Sequence, residues 1–430
     1  MKVLIISHNI LSNTSNMGRT LLNFFRDFPP ESLSQLYFHK EVPTTDACTE
    51  YFRITDFDIL KKKKRDVGTV FNKNNIQKNL VTERVDEGVD ASVYSFGRKR
   101  KPYMYLGRNF IWSLGKWKNK RLFDWLNKVN PDIIFFASGD YTFSYKIAMT
   151  LADYKKIPIV TYVCDDYYFL NRKSVSPLYY LNRFFYKKTL KKLFLKHKNM
   201  VAICDKITTD YGKEFGTTST TVMTTSTVEY HEKPAENPKI KISYIGNLGL
   251  NRHITLCEIA RSIKEISDGK ILLDVYSGEN RKEIVDFLDK ENSIDFHGRV
   301  DYSEVIRVMH ESDILIHTEA MDESSRNRVR YSVSTKIADS LSCGTCLFAY
   351  GPADVASIEY LKQNDCACVV TDENKLKSTL RTLINDETLR NAYVQKALNV
   401  AAENHNEEKN SNKIKTVLET AIKASDGRKN

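Results

Sequence analysis

Residues 330–352, RYSVSTKIADSLSCGTCLFAYGP, gather the groups best suited to hold an anion. Ser334 and Thr335 bring hydroxyls, Lys336 an ammonium and Asp339 a carboxylate, around a predicted helix start that also includes Ile337. A helix start presents unpaired N–H groups and a partial positive charge, so it can hold a phosphate. The lysine adds charge. An acid one turn further in can accept hydrogen bonds from a sugar diol, as the acidic residue of a dinucleotide fold does with ribose. Together they predict a diphosphate-plus-ribose site, hence a nucleotide. A plainer reading of the same residues is an N-cap, an exposed lysine and a first-turn acid favoured by the helix dipole. A small-residue turn, Ser342-Cys343-Gly344, and an apolar strand at 345–349 complete the motif.

A chain of 430 residues exceeds one ordinary core, so two domains of roughly 200 residues are expected. No apolar run approaches the roughly 20 residues of a membrane-spanning helix. The opening MKVLIISHNILS is too briefly apolar for a signal peptide and reads as a first buried strand, so the protein is expected in the cytoplasm. Eight scattered cysteines suit unpaired thiols in a reducing compartment. Cys343, Cys346, Cys366 and Cys368 invite a zinc reading, but their turn and strand context favours core packing. The net charge of +11 is concentrated in the first half, at 61–65, 98–101, 116–121 and 187–198. Such asymmetry points to an anionic partner, membrane lipid or nucleic acid, against the bland alternative of a solvated basic face.

Strand and helix signals alternate. Strands are predicted at 2–6, 132–137, 159–163 and 200–203, with helices at 19–28, 145–154 and 179–198. The polar, proline-bearing stretch 229–238 reads as a linker. A second series follows, with strands at 240–245, 271–276, 294–296 and 314–316. Helices at 251–266, 281–290, 302–311 and 355–364, then 373–423, complete it. The pattern implies parallel sheets covered by helices, in two open α/β domains, 1–230 and 231–430, facing across a cleft.

Four pieces in this order carry a resemblance: SHNILSNTSNMGRTL at 7–21, ISYIGNLGLNRHI at 242–254, FHGRVDYSEV at 296–305 and the motif at 330–352. The chain resembles GT-B glycosyltransferases of the large family 4 type, and within them bacterial capsular and exopolysaccharide enzymes. The resemblance implies two Rossmann-like domains, the first for the acceptor and the second for a nucleotide sugar, with no bound metal or cofactor. It implies a saccharide or polyprenyl-linked acceptor, and no nucleic acid. One departure stands out. The family carries two glutamates seven residues apart, and here Tyr331 occupies the first place and Asp339 the second. Glu319 lies too early in the chain to fill the gap, which leaves the family's retaining stereochemistry open.

Within that frame Ser334, Thr335, Lys336 and Ile337 would surround the diphosphate and Asp339 the ribose. Arg252, after a loop containing Gly246 and Asn247, would neutralise charge on the departing diphosphate; the alternative is a solvated helix-start arginine. Arg330 is a second such cation. Arg299 and Val300 would present backbone groups to the base, and Tyr276 is either a donor-site wall or a core aromatic. In the first domain, Gly18 would allow close backbone approach in a loop aimed at the cleft. His8, Asp165 and Asp166 follow strand ends, where open α/β sheets place functional groups, and any of them would serve as the base of an inverting transfer. The basic aromatic segments 99–121 and 179–198 suit an anionic membrane surface, as a peripheral protein at its inner face, or else a covering helix with snorkelling lysines. Rival readings are a GT-B epimerase and a basic nucleic-acid-binding protein.

Overall fold

Apolar β-branched runs separated by helices assemble, in the computed structural model, into two sheets. Residues 1–13, 16–72, 102–170, 174–231 and 239–427 are described. The basic cluster 98–101 and most of the predicted linker, 232–238, lie outside them.

The first sheet comprises β1 (Val3–Ser7), β2 (Leu33–Tyr37), β3 (Glu50–Arg53), β4 (Thr69–Asn72), β5 (Ile133–Ala137), β6 (Ile159–Val163), β7 (Asn199–Ala202) and β8 (Thr218–Thr221). Their spatial order is β4-β3-β2-β1-β5-β6-β7-β8. Every pair is parallel except β3–β4, which runs antiparallel at one edge. That edge departs from the all-parallel expectation and is a common addition to parallel sheets. The second sheet comprises β9 (Ile242–Ile245), β10 (Leu273–Tyr276), β11 (Ile294–Gly298), β12 (Ile314–Thr318), β13 (Cys346–Tyr350) and β14 (Cys368–Val370). It is wholly parallel, in the order β11-β10-β9-β12-β13-β14.

Both sheets are buried on two faces. In β1 and β5 every residue is buried, and the alternate side chains feed two separate apolar clusters. The cysteines are unpaired; Cys343 and Cys366 pack in one apolar cluster of the second sheet, Cys346 and Cys368 in another. Among the described residues, the one group with metal-ligand spacing is Asp274, Asp295 and His297, which contains no cysteine.

Two local features differ from the sequence pattern. The first helix spans Asn16–Phe24, so Gly18 sits buried in its opening turn rather than in a cleft-facing loop. The predicted closing stretch 373–423 is three helices, and the last, Glu407–Asp426, returns to the first sheet. Its stripe of Ile414, Leu418 and Ala421 joins the apolar cluster of Val3, Ile5 and Phe135. Two strands of chain therefore cross between the sheets side by side. Asn410 donates to the Met223 carbonyl at 2.9 Å, and the Ser226 N–H donates to the His405 carbonyl at 3.1 Å.

Candidate active site between the lobes

In each sheet the strand order reverses at one place, between β1 and β5 in the first and between β9 and β12 in the second. Helices leave in opposite directions there and open a crevice beyond the carboxyl ends of the strands, where open α/β sheets bind ligands. His8 follows β1, Asp140 follows β5, Gly246 follows β9 and Glu319 follows β12. A cleft of about 630 Å³ runs between the two sheets, lined from both sides and including Asp140, Asp165, Asp166, Arg252 and Ser332.

The second-sheet wall is built around Arg252, the first residue of the helix Arg252–Ile266. Leu250 and Asn251, just before it, both adopt left-handed backbone with φ of 58°. That conformation is costly for a leucine, and such strain collects where a binding site requires it. Gly246 is needed for a different reason: a Cβ there would meet the Tyr244 hydroxyl at 2.5 Å. That phenol donates to the Asn247 carbonyl at 2.8 Å and so shapes the loop, and the Asn247 side chain in turn accepts from the Gly249 N–H.

The Arg252 guanidinium makes a forked bond to Glu319, Nε to Oε2 at 2.8 Å and Nη2 to Oε1 at 3.1 Å. Glu319 is 2% exposed. Burial pushes its carboxyl above the ordinary glutamate range, and the Arg252 charge works against that shift. Nearby, His317 stays neutral, since burial and Arg252 bring it down to about 3. Glu319 is thus the acid that the sequence reading set aside. It does not replace a glutamate at Tyr331; it aims Arg252.

Lys336 is the first residue of the helix Lys336–Ser342. Burial lowers its pKa; Asp339 opposes the shift and the Arg252 charge reinforces it. Lys336 has no hydrogen-bond or ion-pair partner among the described residues. Thr335 stands at the N-cap yet makes no side-chain capping bond, and the Ser334 carbonyl accepts from the Ile337 N–H at 3.1 Å. Ile337 itself is buried in the core. Asp339 accepts from the Ser226 hydroxyl at 2.7 Å, with Arg19 of the first lobe also within electrostatic reach. The turn that ends this helix requires Gly344: φ is +85° and a Cβ would lie 2.6 Å from the Tyr230 ring. Arg330 has its guanidinium over the Tyr331 ring.

On the β10–β11 side, Tyr276 is nearly buried and stacks on His297 with centroids 4.4 Å apart. Exposed Arg299 lies over Gly278, beside half-buried Val300. Those three residues border the carboxyl ends of the strands but do not line the cleft.

The two aspartates of the first-sheet wall differ. Asp166 turns one carboxylate oxygen inward, where it accepts from the N–H groups of Tyr168 and Phe169 and from the Tyr211 hydroxyl, so it organises its own loop. Asp165 reaches the cleft and meets the Ser332 hydroxyl at 3.4 Å. Crowding between the lobes pushes its carboxyl above the ordinary aspartate range. His8 does not line the cleft; its ring lies near those of His39 and Tyr141. Asp140, which sequence reasoning missed, accepts from the Tyr105 hydroxyl at 2.8 Å.

Tyr331 is a packing residue. Its ring is buried in the apolar core of the first sheet, stacked near Phe169, and its hydroxyl donates to Asp210 at 2.7 Å. Lys206 and Glu359 form a second bridge between the lobes at 2.7 Å. The motif therefore lies on the boundary between the sheets.

Removing one member of a buried ion pair leaves a charge stranded, whereas replacing both can be nearly neutral. Glu319→Ala is expected to cost about 3–5 kcal/mol in urea unfolding, and the double change Arg252→Met with Glu319→Met much less. Equal losses in the two variants would show that the pair is not one electrostatic unit.

A family model described as glycosyl transferase-like matches residues 252–416, beginning at the arginine of the ion pair. A search of curated proteins by sequence found no match. Among solved structures, Anabaena HepE in complex with UDP is similar, at 10% identity over 98% of this chain and 100% of that one, with a TM-score of 0.62. A glycosyltransferase from Rickettsia africae is 13% identical over 98% and 99% of the two chains, TM-score 0.61. WaaG, a glycosyltransferase involved in lipopolysaccharide biosynthesis, is 13% identical over 96% and 99%, TM-score 0.54. Likeness at such identities speaks for the fold, and the family match speaks for the C-terminal half. Taken with the two facing Rossmann-like sheets, they show that this chain has the GT-B fold and that its residues 252–416 resemble a glycosyl transferase-like family.

Proposed function

We propose that the chain transfers a sugar from a nucleoside diphosphate sugar to a saccharide, and that the pyrophosphate is gripped by Arg252 and Lys336. The supporting observation is Lys336: a half-buried ammonium within electrostatic reach of Arg252 and Asp339, with no hydrogen bond or ion pair among the described residues. Like charges are brought together in a protein at a cost, and a dianionic ligand repays it. As the bond to the sugar breaks, negative charge grows on the diphosphate, and two fixed cations stabilise it without reorganisation. Arg330 stands by as a third cation, and Ser334 and Thr335 add hydroxyls.

In this reading residues 231–430 hold the donor. Asp339 takes the ribose, and the base lies toward Arg299, Val300 and Tyr276, beside the loop of Gly246 and Asn247. The complex of HepE with UDP supports a uridine nucleotide in a cleft of this fold. The cations supply what a metal ion would, so activity is expected to need none. Residues 1–230 take the acceptor, and Asp165 is the carboxylate placed to take the proton of the attacking hydroxyl. Asp166, Gly18 and His8 serve the frame of that site.

A lipid-linked acceptor and surface polysaccharide synthesis are the finer reading. Helices Pro102–Ser113 and Pro177–Lys196 lie side by side, joined by Asn109 and Asn182. The second buries Tyr186, Leu190 and Phe194 yet also exposes Leu181, Phe184 and Phe185, and the first exposes Phe110 at 66%. A covering helix needs one apolar face; a second, followed by Lys188, Lys191 and Lys192, suits a membrane interface with anionic headgroups. No helix among the described residues is long and apolar enough to cross a membrane. The involvement of WaaG in lipopolysaccharide biosynthesis agrees with this context.

Three outcomes follow from these assignments. In a screen of UDP- and GDP-sugars read by thermal shift and nucleotide release, Lys336→Ala is expected to lower turnover about 100-fold, or about 2.7 kcal/mol. Charge-removing changes among Lys188, Lys191 and Lys192 should leave soluble turnover within about twofold, less than 0.5 kcal/mol. Equal effects would undo the assignment. A base acts ionised, so kcat/KM should rise with pH through the raised Asp165 pKa, and Asp165→Asn should remove that limb; an unchanged profile counts against the role. Flotation with phosphatidylglycerol vesicles should carry the protein at low salt and release it at high salt. Phe110→Ser with Phe184→Ser should abolish the binding, and flotation on neutral vesicles alone would contradict a charge-assisted surface.

A further inference from the structure

The chain leaves the first sheet after β8 and packs at once against the second lobe. Met223 and Val228 share an apolar cluster with Ile337 and Leu341, on the helix that carries Asp339. Between those two anchors, polar contacts hold the segment from both lobes. Asn23 of the first helix donates to the Thr225 hydroxyl at 2.7 Å. The Ser226 N–H donates to the His405 carbonyl, and the His405 ring donates from Nδ1 to the Thr224 carbonyl at 2.6 Å. Burial keeps that ring neutral, with its pKa brought down to about 4.

Held in this way, Ser226 presents its side chain to Asp339. Its oxygen accepts from the Val228 N–H at 3.1 Å, and its proton is donated to Asp339 Oδ1 at 2.7 Å. A hydroxyl has one proton to give, and the Val228 N–H fixes the direction in which it is given. The receiving side chain is short, so two torsions decide where both carboxylate oxygens lie. Burial raises the Asp339 pKa; Ser226, Lys336 and Arg19 oppose the shift, Ser226 through a directional bond and the two cations through charge. A hydrogen bond to a carboxylate is of the stronger kind, and this one sets the plane of the group.

A ribose presents a rigid pair of vicinal hydroxyls, and a carboxylate accepts both protons well when its two oxygens face them. We propose that Ser226 is a positioning residue for the donor nucleotide: by holding Oδ1 it turns the Asp339 carboxylate to the ribose diol, and so makes the site select ribonucleotides over 2′-deoxyribonucleotides. The proposal rests on the nucleotide-sugar reading with Asp339 at the ribose, and adds the residue that aims that carboxylate. Ser226 lies 113 positions before Asp339, in the crossing between the lobes and outside the motif at 330–352.

Titration calorimetry on the full chain with UDP, 2′-deoxy-UDP, GDP and 2′-deoxy-GDP provides the test, the ratio being read for the base that binds more tightly. The wild-type protein is expected to prefer the ribonucleotide about tenfold or more. Ser226→Ala should reduce that preference to about threefold or less, mainly by weakening the ribonucleotide. Ser226→Thr keeps the hydroxyl and should keep the preference. Ser226→Cys, with a weaker donor, should give an intermediate ratio and serves if the alanine variant does not fold. Thr225→Ala removes the neighbouring bond to Asn23 and is expected to leave the ratio at the wild-type value. Full preference in the alanine or cysteine variant overturns the proposal and leaves the donor reading standing. So does an equal loss in Thr225→Ala, which would report a loosened crossing rather than an aimed carboxylate. Equal binding of ribo- and deoxyribonucleotide by the wild-type protein removes Asp339 from the ribose and the proposal with it. Binding of neither base removes the donor reading as well.

Discussion

Two cations at helix starts in half-buried surroundings, only one of them in an ion pair among the described residues, are the constraint on which the site depends. Arg252 is spoken for by Glu319 in a buried fork. Lys336 makes no such bond among the described residues, and burial lowers its pKa while Asp339 opposes the shift. Neither arrangement favours stability, since taking charges out of water costs more than a simple pair returns. Together with the left-handed backbone at Leu250 and Asn251, they form a region where local rules of folding are broken at one place. Sites of that kind are where function is expected to reside.

The strain is affordable because topology, not local sequence, brings the parts together. Reversal of strand order at β9 and β12 sets the start of the Arg252 helix beside Glu319, although 67 positions separate them. The matching reversal at β1 and β5 places Asp140 across the cleft. Between the lobes, Tyr331 reaches into the first core and Ser332 meets Asp165. Those contacts fasten the 330–352 motif to the first lobe. The paired crossings near Met223 and Asn410 run side by side between the two lobes.

Much of the second lobe was legible in the sequence, because its strands are continuous apolar runs and its key cations begin helices. Arg252 and Lys336 each stand at the first helical position. In the first lobe β2, β3 and β8, with sequences LSQLY, EYFR and TSTT, escaped notice: polar residues interrupt them, and they are strands only because neighbours pair with them. Glu319 and Asp140 were hidden for a related reason. Nothing local marks them, and their roles arise from which strand ends become adjacent. Asp165 and Asp166 look alike in sequence, yet backbone N–H groups claim one and the cleft claims the other. The last helix was misplaced because an apolar stripe states that a helix must be covered without stating by which sheet.

Titration calorimetry comparing UDP with uridine isolates the diphosphate from the rest of the nucleotide. If the paired cations grip the pyrophosphate, UDP should bind at least about 100-fold more tightly than uridine, or about 2.7 kcal/mol, and Lys336→Met should remove most of the difference. Equal affinities for the two in the wild-type protein would contradict the account.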